Sequence, residues 1–460
     1  MMEETLDSPV MVEVEARAEA SAARGRLEST ALKATVWTIL DYGVGQSLRL
    51  VNSWVLTRLL VPAAFGEMTL VMTLIVGISL LSDIGLAPSV IQSPRGDEPQ
   101  FLNAAFSLQA LRGGILWVLA IALAWPAAWF YGDKSLLYVL PVLALTVLID
   151  GVTSTNMLSL SRHMEVRRIF AIDFSGQIVA LVVTIGWAYW HPSVWALVFG
   201  NLASKGWKLA ISHSRLVPGV RNRFEWDRES VRSILHFGKW IFLGTALFFF
   251  ASQADRLILG KKISFTELGV YGIAFSLSDI PRSVIGAFSY KVGYPFIAKI
   301  IHLPLAEFRV QFLKYRGYTL MVGGFLLAAM VVFGGDVVRL VYKPAYHDAA
   351  WMVPILAAGL WHTLLYQTTS PVLFSLGKSK YNAAGNAAYC AAILVGIPVA
   401  FHFYGLLGAV VAVAAGDLPL YLVTEFGAVR EGMRPLKQDG LMTLAFVATL
   451  AAMWGLRRLV

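Results

Sequence analysis

AAWMVPILAAGLWHTLLYQTTSPVLFSLG, running from Ala349 to Gly377, contains no Asp, Glu, Lys or Arg. Neither does YNAAGNAAYCAAILVGIPVAFHFYGLLGAVVAVAAG, from Tyr381 to Gly416. A helix needs about 20 apolar residues to cross a bilayer, so the first stretch holds one crossing and the second holds two. Outward from these stretches, long apolar runs fill almost everything between Leu32 and Leu459. Arg49, Arg112, Asp150, Asp173, Arg282 and Asp417 nevertheless lie well inside such runs. An ionisable group at the bilayer centre costs roughly 2.5–3.5 kcal/mol, so each must face a partner or a wet cavity. The fold class expected is an all-α integral membrane protein that encloses a polar lumen.

Composition agrees. Of 460 residues 57% are hydrophobic and only 15% charged, and the mean hydropathy is +0.64. A soluble chain would carry about 25% charged residues. The formal charge of +9 does not point to nucleic acid, because no basic surface domain is present to bind it. Lys and Arg gather instead in short loops, as cytoplasmic loops do. Cys390 is the only cysteine, which excludes an internal disulfide and a cysteine-based metal site.

The pattern predicts about thirteen spans, within a range of about 12–14: 33–60, 66–92, 103–130, 135–158, 169–190, 193–213, 236–260, 267–297, 315–336, 349–375, 382–403, 405–427 and 440–457. Residues 1–32 are acidic and Ala-rich without a hydrophobic core, and read as a disordered cytoplasmic tail. Segments Ser159–Arg168, Ser214–Trp240, Lys299–Arg316, Gly377–Tyr381 and Ala428–Asp439 are basic. Segments Tyr131–Lys134, Trp190–Ser193 and Phe403–Gly405 between them are short and mostly uncharged. The positive-inside rule then puts the N-terminus and the basic loops in the cytoplasm. Lys261, Lys262, Arg339 and Lys343 run against that bias. The domain reading is an N-lobe over 33–213, a linker over 214–235, a C-lobe over 236–427, and a loop with an extra helix over 428–460. Whether that last helix spans is left open. The linker, with Arg215, Arg221, Arg223, Arg228 and Arg232, reads either as an amphipathic helix on anionic lipid or as a basic cytoplasmic loop that marks topology alone.

The two halves begin alike. Shifted by 203 residues, Trp37 meets Trp240, Asn52 meets Asp255, Leu56 meets Leu259, Arg58 meets Lys261 and Gly66 meets Gly269. Leu81-Ser82-Asp83-Ile84 recurs as Leu277-Ser278-Asp279-Ile280. Six spans per half give both halves the same orientation, which is a parallel repeat about an axis along the membrane normal.

Within the first span Asp41, Arg49 and Asn52 share one helical face. Its counterpart carries Asp255 and Arg256, and the next span carries Asp279, Arg282 and Lys291. Asp83 and Arg112 fall in the cytoplasmic third. One reading is that Asp and Arg pair between helices and hold the bundle together, as expected of Asp255 with Arg256. The other is that Arg49, Asn52, Arg112, Arg282 and Lys291 line a lumen and accept an anionic headgroup, since an arginine fork matches phosphate oxygens. Asp41, Asp83 and Asp279 are the acids placed to exchange a proton or sodium ion. No catalytic or metal-binding set is expected: the eight histidines are scattered. Gly377-Lys378-Ser379 lacks the rest of a phosphate loop, and no Gly-x-Ser-x-Gly occurs. No cofactor is implied beyond a coupling H+ or Na+.

Val61-Pro62-Ala63-Ala64-Phe65-Gly66-Glu67-Met68, Ser82-Asp83-Ile84-Gly85-Leu86 and Val90-Ile91-Gln92 resemble the opening of bacterial polysaccharide transporters. So do Ala254-Asp255-Arg256-Leu257-Ile258-Leu259-Gly260, Leu268-Gly269-Val270-Tyr271, Pro281 and Gly293-Tyr294-Pro295. These are the oligosaccharide flippases of the multidrug/oligosaccharidyl-lipid/polysaccharide exporter superfamily. The resemblance is clearest over about 33–300. It implies two lobes around a V-shaped central cavity in the bacterial inner membrane. It also implies transfer of polyprenyl-pyrophosphate-linked oligosaccharide repeat units to the periplasmic leaflet, for exopolysaccharide, capsule or O-antigen synthesis. A polysaccharide polymerase and export machinery would be partners. Members have 12 or 14 spans, so an odd thirteenth departs from the pattern. A peptidoglycan-precursor flippase and a drug or cation exporter of the same fold stay open. From another class, a membrane glycosyltransferase or polymerase would need an outer loop with catalytic acids, and the loops here are too short.

Overall fold

The computed structural model describes residues 43, 45, 48, 51–163, 165–289 and 293–459. Asp41, Arg49, Lys291 and the expected tail over 1–32 lie outside the described residues. Among those described, all regular structure is helical. The first half holds α1 (51–59), α2 (Pro62–Leu80), α3 (Leu86–Gln92), α4 (Pro99–Tyr131), α5 (Leu136–Leu143), α6 (Leu145–Gly151), α7 (Asn156–Arg162), α8 (Val166–Trp190) and α9 (Val194–Ser212). The second holds α10 (Arg228–Lys262), α11 (Phe265–Ser278), α12 (Ile280–Phe288), α13 (Tyr294–Ile300), α14 (Leu305–Val341), α15 (Ala349–Ser375), α16 (Lys380–Ala415), α17 (Leu418–Arg430) and α18 (Leu436–Leu459). Seven described helical stretches are long and apolar enough to cross a membrane, or eight if the pair bent by 65° at 136–162 is one span.

Several expected spans are broken, each for a local reason. The span expected over 267–297 divides into α11, α12 and α13. Pro281 in the first turn of α12 has no N–H to donate, and its ring excludes the carbonyl four residues earlier. The span expected over 66–92 ends at Leu80, and the chain turns through Gly85 at φ 63° into α3. Gly405, at φ 58°, marks the turn inside α16, where two crossings had been expected.

The halves meet through reciprocal glycines. A Cβ on Gly66 of α2 would lie 1.8 Å from the Phe265 carbonyl oxygen, and one on Gly269 of α11 would lie 2.0 Å from that of Pro62. Pro62 with Gly66 and Phe265 with Gly269 stand at the same 203-residue offset as the sequence repeat, so the contact is a pseudo-twofold one. Only glycine lets the two backbones approach so closely. The same end is packed further. Tyr346 Oη donates to Leu60 O at 3.0 Å, and the Phe65 and Tyr346 rings meet edge to face at 5.9 Å. Arg58 Nη2 donates to Val341 O at 3.3 Å. One apolar cluster, including Leu56, Val71, Leu140, Leu259, Tyr271 and Val353, runs through both halves.

The last helix is tied along its length to α14. Arg316 of α14 is fully buried and meets Asp439 of α18 and, at 3.5 Å, Glu425 of α17. Further along, Trp361 stacks on Phe446 at 4.5 Å and its Nε1 donates to Thr443 Oγ1 at 2.9 Å. Arg457 Nη2 then donates to Asp336 at 2.7 Å. From Arg316 to Asp336 a helix rises roughly 30 Å, about the thickness of the hydrocarbon core. α18 therefore runs parallel to α14 over a full bilayer thickness.

Of the two readings of the linker, residues 218–227 do not form the amphipathic helix. Residues 218–227 carry no helix, because side chains of the first half satisfy their backbone. Asn156 accepts from Val220 N at 3.1 Å and donates to Val220 O at 2.9 Å. Asn103 Oδ1 accepts from Arg223 N at 3.1 Å, and Ser107 Oγ accepts from Glu225 N at 2.8 Å. Such partners compete with helical bonding. Helix resumes only at Arg228, where the Asp227 side chain accepts from Ser230 N and caps α10.

Candidate functional site

Two helix breaks face one cavity of about 150 Å³ in the second half. At the first, Asp279 closes α11 and opens α12. At the second, Asp417 stands before α17. Both breaks read Asp-x-Pro, as Asp279-Ile280-Pro281 and Asp417-Leu418-Pro419. Discontinuous helices free backbone groups that only protein or a wet cavity can satisfy, so in a bilayer they mark binding sites. Asp279, Arg282, Tyr366, Asn386, Tyr389 and Asp417 line the space. Arg282 Nε is bonded to Asp279 Oδ1. Asp417 is bonded to His362 Nε2 through one oxygen and accepts from Thr363 Oγ1 through the other. The site thus offers two carboxylates, one guanidinium and neutral hydroxyl and amide groups, with the His362 imidazole behind Asp417. It can hold a hydroxyl-rich or ionic group.

A second cavity of about 230 Å³ lies beside the glycine contact, lined by Asn52, Phe65, Thr69, Gly269, Gly272 and Ser276. It is shared by the two halves. Asn52 Oδ1 is buried there without a hydrogen-bond partner among the described residues.

The other expected site residues divide. Arg112 does not face an open lumen: its Nε donates to Ser82 O at 2.9 Å and its Nη2 to Ser79 O at 2.6 Å. It covers the last carbonyls of α2, where a cation is favoured by the unpaired C=O groups. Asp83 accepts from Gly85 N at 2.9 Å and shapes the turn after α2. Asp255 and Arg256 do not pair with each other. Successive helical residues point apart, so Asp255 accepts from Tyr271 Oη at 2.6 Å. Arg256 bonds Gln253 and lies 4.8 Å over Phe275. Asp150 and Asp173, read as unexplained intramembrane charges, meet Lys205 and Lys208, both at 2.7 Å. The structure brings Asp279 and Arg282 together and leaves Asn52 in the other cavity. His362, Thr363, Tyr366 and Tyr389 were not anticipated. The repeated Asp-x-Pro was the available signal for the second break. Among the described residues no three His, Cys, Asp or Glu converge to hold a metal.

Broken helices around a polar cavity, two halves joined by a pseudo-twofold contact and seven or more apolar spans among the described residues define a polytopic helical membrane protein. The chain belongs to the polysaccharide biosynthesis protein family, whose model matches residues 55–351. It is 24% identical over 240 residues to the amylovoran biosynthesis protein AmsL of Erwinia amylovora, covering 52% of this chain and 62% of that one. It is 21% identical over 333 residues to the lipopolysaccharide biosynthesis protein WzxC of Escherichia coli, covering 72% and 66%. The matches thus span a little under two thirds of the length of these relatives. Among solved structures, the lipid II flippase MurJ in an inward closed conformation aligns with a TM-score of 0.69 at 12% identity, over 91% of this chain and 92% of that chain. An inward-facing multidrug resistance MATE transporter aligns with a TM-score of 0.64 at 13% identity, over 85% and 96%. These two show the shared two-lobed fold, and the protein is a multi-pass bacterial membrane protein.

Proposed function

We propose that this protein carries polyprenyl-pyrophosphate-linked oligosaccharide repeat units from the cytoplasmic to the periplasmic leaflet of the inner membrane by alternating access. The observation that carries this reading is the glycine seal between the two repeats, with a polar cavity shared by both halves beside it. A pyrophosphate and its sugars cannot enter hydrocarbon unaided, since each unpaired polar group costs several kcal/mol. Polar groups in a cleft between the lobes replace their water, while the lipid tail stays in the bilayer. Membership of a polysaccharide biosynthesis family supports the cargo. The excess of Lys and Arg in the loops supports a cytoplasmic N-terminus, which makes the glycine seal periplasmic.

In this reading Asn52 and Arg282 contact the headgroup, joined by Arg49 and Lys291. Because Arg282 is already bonded to Asp279, an incoming phosphate competes with that carboxylate. Asp41 and Asp279 remain candidates for coupling to a proton or sodium gradient. Asp83, held in its turn, is a weaker one. The translocated lipid would pass to a polymerase and the export machinery, and the chain itself catalyses no bond change. Flipping of a fluorescent polyprenyl-pyrophosphate oligosaccharide in proteoliposomes tests the reading. Cargo that stays inaccessible to an external glycosidase in protein-containing vesicles, as in empty ones, would overturn it.

A further inference from the structure

The outer wall of the first half carries a groove of about 1000 Å³ that takes no part in the site above. Leu111, Ile115 and Val118 of α4, Leu148 of α6 and Trp226 of the linker line it. No residue of α10–α18 does, so the groove is separate from the cleft between the halves. Its walls are almost wholly apolar, and Glu225, whose carboxylate accepts from Asn103 Nδ2 at 2.9 Å, stands at the linker end. From Ser107 to Leu119 the groove follows α4 for roughly 18 Å, close to one leaflet's half of a core of about 30 Å. Trp226 also lines an adjoining pocket of about 450 Å³ with Arg228, Val231, Arg232 and Leu235. The acids flanking these arginines turn elsewhere: Asp227 and Glu229 lie 3.9 and 3.6 Å from Arg95. Arg228 and Arg232 consequently have no ion-pair partner among the described residues.

We propose that this groove and pocket together form a site for an anionic phospholipid of the bilayer, with one acyl chain along α4 and the phosphate at Arg228 and Arg232. The length of one leaflet fits an acyl chain, whereas a polyprenyl chain is longer, and the separation from the cleft argues against the cargo. Trp226 stands at the junction of chain and headgroup, where its ring is favoured. The site would pin the linker between the lobes to the membrane surface. This holds whichever cargo the cleft carries.

The test uses the full chain in detergent, with retained lipid counted by native mass spectrometry. Phosphatidylglycerol should bind more tightly than phosphatidylcholine with the same chains. Each surface cation adds roughly fivefold, so Arg228→Gln with Arg232→Gln should weaken phosphatidylglycerol about 30-fold. A Cβ on Gly114 meets nothing within 4 Å, so Gly114→Trp can fill the groove and should abolish binding of both lipids. Equal affinity of the wild-type protein for the two lipids would overturn the proposal without relying on any variant. So would protection from thermal unfolding by inorganic phosphate equal to that by phosphatidylglycerol. Displacement of phosphatidylglycerol by an equimolar polyprenyl pyrophosphate would assign the groove to the cargo instead.

Discussion

Arg112 and Arg282 carry the same charge and both lie well inside apolar runs of the sequence, yet their surroundings differ. Arg112 spends its donors on the carbonyls of Ser79 and Ser82, while Arg282 faces a cavity with Asp279 as its partner. Removing Arg112 should therefore act on folding. Arg112→Ala should destabilise the protein by about 1.5–3 kcal/mol, the range for hydrogen bonds to charged groups, seen as a lower unfolding midpoint in detergent. Arg282→Ala should instead abolish polymer export at wild-type protein levels, and Arg282→Lys should restore it only in part, because lysine keeps the charge without the fork. Full export by Arg282→Ala would remove this residue from the site. The sequence shows the acid three residues before Arg282 but not what holds Arg112. Two of its partners are backbone oxygens, which have no letter code, and the third is Ser82 Oγ, 30 residues away.

At the scale of elements, the two clasps between α14 and α18 predict different costs. Arg316 is wholly buried against Asp439 and Glu425. Arg316→Ala leaves two carboxylates without their cation, a loss of about 3–5 kcal/mol for a buried pair broken on one side. Arg457 and Asp336 are each more than a third exposed, so Arg457→Ala should cost about 0–1 kcal/mol. Thermal unfolding of both variants in one detergent checks the contrast; equal losses would mean that α18 is not anchored through Arg316. The sequence placed Arg316 and Asp439 in basic loops, since both fall at the edges of apolar runs. Their burial appears only when α15, α17 and α18 close around them. The break at Pro281, by contrast, is legible in the sequence, from proline's missing donor and from Asp279 and Arg282 on either side of it.

For the whole molecule, the glycine seal sets the expectation. Gly66→Val places a branched side chain where even a Cβ would meet the Phe265 carbonyl, so the two halves cannot close at that end. In a Cys390→Ser background with Asn52→Cys as reporter, Gly66→Val should raise labelling by an impermeant thiol reagent from the periplasm at least about tenfold, as a population shift toward the open state requires. In the chain that keeps Asn52, Gly66→Val alone should abolish transport while the protein still inserts. An unchanged labelling rate at normal protein level would show that the contact is not a gate. Topology is checked separately: Arg221→Cys should react from the cytoplasmic side alone.

The sequence by itself determined that the chain is an all-helical membrane protein, that its halves begin alike at offsets of 203 and then 196 residues, and which family it resembles. Hydropathy, helix period and glycine spacing are local properties, and apolar length against bilayer thickness needs no partner to be read. Only the tertiary structure decided which charges are spent and which remain available. It paired Asp150 and Asp173 with Lys205 and Lys208, gave Asp255 to Tyr271, and laid the linker over α4 and α7 as a non-helical segment held by Asn103 and Asn156. Those outcomes depend on how each helix is rotated about its axis and on what packs beside it. A rotation of one residue, about 100° in a helix of 3.6 residues per turn, is enough to move a charge from a neighbour to a cavity.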